Sequence, residues 1–128
     1  VVFYLVKTYK TTKQNFEYFK QRFKYWQVKL GLINYIVYFD HVEKDNVFAW
    51  IHWDLRGMIA TVGLNTNFSD EPPTKTMLDR CAFHEACELM LVKVTEKLQD
   101  TYSDDVVGTL IHEVIRRLEH VCLDNKDK

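Results

Sequence analysis

His84, Glu85 and Glu88 lie together in the stretch AFHEACELML, residues 82–91. At about 100° per residue, an imidazole and a carboxylate four positions apart reach the same point above a helix. Glu85 stands one step round, beside that point. This His-Glu-x-x-Glu spacing has the geometry of the helix that carries zinc in hydrolases, in which the glutamate between the two ligands handles the proton of a water. A carboxylate oxygen in the second ligand position is compatible with zinc, and its hardness also admits manganese or iron. His84 and Glu88 are therefore expected as metal ligands and Glu85 as the general base.

A three-ligand centre needs one more donor. The stretch LIHEVIRRLEHV, residues 110–121, offers His112 first, with Glu113 and Glu119 as alternatives. The opposing reading has no ion. A buried carboxylate must find a cation, a donor or a proton, and Arg80, Arg116 or Arg117 could pair with Glu85 or Glu88.

The elements that must position these groups follow from periodicity. Residues 13–32, KQNFEYFKQRFKYWQVKLGL, place Phe16, Phe19, Phe23, Trp26 and Leu30 on one helical stripe, with Gly31 as a C-terminal cap. Three strand-like runs follow, NYIVYFDHV (34–42), VFAWIHWDL (47–55) and MIATVGLNTNF (58–68), separated by short polar turns. Short connections predict an antiparallel meander. After the proline-bearing loop SDEPPTKT, one helix is expected over 76–99 and a last one over 104–123.

On the 76–99 helix, Asp79, Ala86, Lys93 and Lys97 form the expected solvent strip. His84, Glu85 and Glu88 then face inward with Leu78, Cys81 and Val92. The last helix is expected to bury Val107, Leu110, Ile111, Val114, Leu118 and Val121. Gly108 would let another segment approach near His112. The order of elements makes the class α+β.

The bulk properties narrow the function. The chain has 128 residues, a size for one domain, 1–128. A net charge of −1 disfavours nucleic-acid binding by bulk charge. The apolar start VVFYLV is too short to span a bilayer, so no membrane partner is expected. Residues 1–12 are read as an extra strand or as residues added to the domain. Three cysteines, Cys81, Cys87 and Cys122, fit reduced thiols of a cytoplasmic protein, with the first two as small core residues.

The segments FEYFKQRFKYWQVKLGL, VGLN, FHEACELML and HEVIRRLE together resemble the small zincin-like metallopeptidase-type proteins of phages and prophages. The resemblance covers residues 13–123. It implies a zincin-like core of an N-terminal helix, a small sheet, an active-site helix and a C-terminal helix. It also implies His84 and Glu88 as zinc ligands, Glu85 as base or acid, and a third ligand from the last helix, His112 or Glu113. The expected function is a metal-dependent peptidase. The strand MIATVGLN would then hold an extended peptide, with Asn65 near the site mouth. The alternative is a catalytically silent scaffold that binds a host or phage protein in the host cytoplasm.

Overall fold

The computed structural model describes residues 6–123. Helix α1 (Lys13–Lys29) begins at Thr12, whose hydroxyl accepts from the Asn15 N–H at 3.0 Å. The Asn15 side chain returns the bond to the Thr12 N–H at 2.8 Å, so two orphan donors are satisfied reciprocally. Phe19, Phe23 and Trp26 are buried and Phe16 and Leu30 pack at their margin. Gly31 follows with φ +72°, the left-handed geometry that ends the helix as expected.

Helix α2 (Lys75–Met90) carries the His-Glu-x-x-Glu stretch and starts at the cap Thr74. It has no solvent strip. Ala86 is fully buried, and Asp79 accepts from Arg22 Nε at 2.7 Å and Trp26 Nε1 at 2.8 Å, both on α1. Trp26 meets Phe83 edge to face at 4.7 Å. The face assigned to solvent by the wheel is thus covered by α1, and α2 is apolar on more than one side because it is packed on more than one side.

The single helix expected over 76–99 is two. The helix breaks at Leu91, and α3 (Val92–Gln99) follows with Lys93 and Lys97 exposed. The turn keeps Val92 in the core while Glu96 accepts from Trp53 Nε1 at 2.9 Å.

The strands β2 (Ile36–His41), β3 (Ala49–Asp54) and β4 (Ile59–Leu64) form a sheet in the order β2-β4-β3. Here β4 is antiparallel to β3 but parallel to β2, which corrects the simple meander. The cause is the connection over 42–48, which crosses the end of β4 instead of folding back as a hairpin. Asn65, the residue after β4, holds that crossing. Its side-chain amide donates to the carbonyls of Lys44 and Val47, and its N–H to that of Phe48 at 2.9 Å.

The third expected strand also divides. Strand β1 (Thr8–Lys10) pairs antiparallel with β5 (Asn67–Ser69) in a separate two-stranded sheet. This gives residues 8–10 a strand role. Residues 1–5 of the apolar start and the tail 124–128 lie outside the described residues.

One sheet face, with Ile51, Ala60, Val62 and Leu64, joins the buried side chains of α1 and α2 in a common core. On the other face Trp50 lies so close over Gly63 that a Cβ there would come within 2.0 Å of its ring.

Helix α4 (Asp104–Cys122) starts at the cap Ser103, with Asp104 and Asp105 complementing the positive end of its dipole. Val107, Ile111 and Ile115 are its buried residues, whereas Leu110, Val114 and Val121 are exposed. The expected stripe is therefore turned. The turn is towards the side that carries His112, Ile115 and Glu119. Gly108 admits no close neighbour, since nothing lies within 4 Å of its would-be Cβ. No helix of the described residues is long and apolar enough to cross a membrane.

Asn65→Ala removes both side-chain bonds that hold the crossing connection. A loss of about 1–3 kcal/mol is expected, read as a lower urea midpoint at unchanged slope. An unchanged midpoint would contradict the clamp.

Candidate metal centre

Helix α2 presents His84, Glu85 and Glu88 along one side, and α4 lies against it with His112 and Glu119. His84 Nδ1 is 3.1 Å from Glu119 Oε1. Glu119 is largely buried, and its second oxygen lies 3.7 Å from Arg80 Nη1. His112 Nε2 is 3.5 Å from Glu88 Oε1. The two imidazole rings are 5.2 Å apart, centre to centre. One ligand atom from each of His84, Glu88 and His112 falls within 4.8 Å of the others. Among the described residues no other group of three histidine, cysteine or carboxylate side chains meets in this way.

The three residues expected as ligands are thus brought together by two helices, and the first of the three alternatives for the third donor is the one that meets them. Glu113 points elsewhere and pairs with Arg117 at 3.0 Å on the exposed side of α4. Glu119 engages His84 instead. That bond uses Nδ1, so Nε2 of His84 remains for an ion, the arrangement in which an outer carboxylate orients a ligating imidazole. The Arg80–Glu119 and Arg117–Glu113 pairs do not involve Glu85 or Glu88.

Glu85 is only 4 % exposed. Burial pushes its carboxyl well above the usual 4.5, and a hydrogen bond to Glu88 and the charge of Glu88 push it further. Cys81 stands on the same side of α2, where burial first and then the charges of Glu85 and Glu119 raise its thiol to about 12. Burial likewise raises Cys87 to about 12, so both are inert core thiols at neutral pH.

The cluster opens into a cleft of about 540 Å³. Its far wall is residues 47–52, including Phe48 and Trp50, with Met77 on the near side. In the order β2-β4-β3, β3 is the outer strand here, and its second edge has no strand partner among the described residues. The segment MIATVGLN is not that edge, because β4 is the central strand. Asn65 is not at the mouth but buried beneath the crossing connection.

The remaining polar strand residues lie outside the ligand cluster. His41 stacks on Phe16 at 4.7 Å and bonds Thr11, Asp54 accepts the Arg56 N–H, and exposed His52 sits on the cleft wall. Sequence reasoning missed Lys44 on that wall, and it offered Arg80 to Glu85 or Glu88 where the structure sets it beside Glu119. Their signal was weak, since lone basic residues on polar turns and helix flanks are common.

In comparison with known proteins, the chain matches no family model, no curated protein and no solved structure.

The raised Glu85 carboxyl has a measurable consequence in chelator-treated protein. The unfolded chain releases this proton near 4.5, whereas the folded chain keeps it to higher pH. Between those values the folded state binds more protons, so stability from this group falls as pH rises, until the folded carboxyl also ionises. Glu85→Gln cannot ionise. Its stability relative to the parent should rise from pH 4.5 upward and then level off. Urea midpoints across that range check this, and a difference independent of pH would contradict it.

Proposed function

We propose that the protein is a zincin-like, metal-dependent peptidase. The observation that carries this reading is the meeting of His84, Glu88 and His112 at the head of a cleft, with Glu85 beside them. Two imidazoles and one carboxylate suit zinc, and three protein ligands leave a coordination position for water or substrate. When bound, the ion supplies Lewis acidity, polarising a carbonyl and making water easier to deprotonate.

The chain's own groups do the rest. Glu119 holds the tautomer and orientation of His84. In the zinc-loaded protein an ionised Glu85 would take the proton of the attacking water and return it to the leaving amine, a role suited to a carboxyl whose proton affinity burial raises. The open edge of β3 supports binding of an extended peptide by strand addition, with main-chain bonds giving affinity.

A second reading is a catalytically silent scaffold of the same fold that binds a host or phage protein. The hydrogen bond between Glu85 and Glu88 favours it, because it is made without an ion.

Three proteins assayed on a quenched-fluorescence peptide mixture separate the readings. The parent should bind about one equivalent of zinc and cleave. Glu85→Gln should keep the zinc and lose about 100-fold or more in rate. His112→Ala should lose both metal and activity. Unchanged turnover in Glu85→Gln would remove Glu85 from the proton-transfer role. Stoichiometric zinc without cleavage by the parent would favour the scaffold.

A further inference from the structure

Lys44 is a half-buried lysine that lines the same cleft as the histidine and glutamate cluster. Its Nζ lies 5.1 Å from the centre of the Trp50 ring and donates to His52 Nε2 at 3.2 Å. Among the described residues no carboxylate forms an ion pair with it, and its contacts are to the His52 ring nitrogen and the Trp50 face. A half-buried ammonium with no ion pair among the described residues is an unusual occupant of a cleft wall.

The position of this cation is built by the surrounding fold. The buried Asn65 amide holds the carbonyls of Lys44 and Val47, which places the backbone. The absence of a side chain at Gly63 lets Trp50 settle on β4, and Trp50 in turn supports the ammonium. The same cleft is also lined by the apolar side chains Val47, Phe48, Trp50 and Met77. The cleft thus joins a cation, an apolar stretch and the proposed ion site.

We propose that Lys44 receives the free C-terminal carboxylate of a peptide whose last side chain is apolar. The cleft then selects peptide ends over internal segments. This deepens the peptidase reading and rests on it for the fate of the bound peptide, whereas binding itself is measured without turnover.

The test uses the full chain, with and without one equivalent of zinc, titrated by nitrogen-15 NMR. The probes are N-acetyl-Phe-Leu as the free acid, the same dipeptide as its amide, and N-acetyl-Phe-Glu-amide. The free acid should bind about tenfold more tightly than its amide, the size expected for one charge-assisted hydrogen bond. It should shift the amides of residues 47–52. Lys44→Met keeps an apolar stem over Trp50 and should erase the preference, while Lys44→Arg should keep most of it.

Equal affinity for acid and amide, binding of neither, or a preference that survives in Lys44→Met would overturn the proposal. Tighter binding of the Glu-amide than of the free acid would assign Lys44 to an acidic side chain and also overturn it. A preference that holds while zinc is not taken up would sink the metal reading and leave this site standing. Zinc uptake without the preference would do the reverse.

Discussion

The bond between His84 Nδ1 and Glu119 Oε1 ties α4 to α2, and the candidate centre depends on that tie. It joins the two helices at the level where their polar groups face each other. With Glu119 in place, His84 has one nitrogen occupied and the other free, and His112 is carried to within reach of Glu88. Neither helix alone supplies three donors. Glu119 is itself largely buried and is balanced by Arg80, so the contact is part of a charge arrangement that burial makes costly to disrupt.

That arrangement works because α2 is hemmed in. Helix α1 covers it through Asp79, Trp26 and Phe83, and the sheet covers it through Ile51 and its neighbours. A helix so enclosed cannot turn its ionisable groups to water. Glu85 answers with a carboxyl whose hold on its proton burial strengthens, and with a hydrogen bond to Glu88. The side of the enclosure left open is the cleft beside β3. The groups that are most expensive to bury therefore border the open cleft.

Much of the site was legible because it is local. The step from His84 to Glu88 is one helical turn, and Glu85 follows from adjacency, so spacing alone placed all three on one side. His112 was legible at the edge of its stripe. The face of α4 was not, because Leu110, Val114 and Val121 are as apolar as the residues that pack, and hydropathy cannot rank equivalent candidates. Only contact with α2 and α3 decides which side is buried. The strand order failed for a similar reason. It depends on Asn65 holding carbonyls of a connection some twenty residues earlier in the chain, and side-chain bonds to main chain leave no periodic trace. The turn at Leu91 falls in a segment with no glycine or proline to mark it, so the expected helix ran on.

The central claim is that His84, Glu88 and His112 hold one ion. Anomalous diffraction at the zinc edge, from crystals grown with one equivalent of zinc, tests it most directly. The expected result is a single strong peak with nitrogen and oxygen ligands from those three side chains at about 2.0–2.2 Å. A map with no peak between α2 and α4 would contradict it.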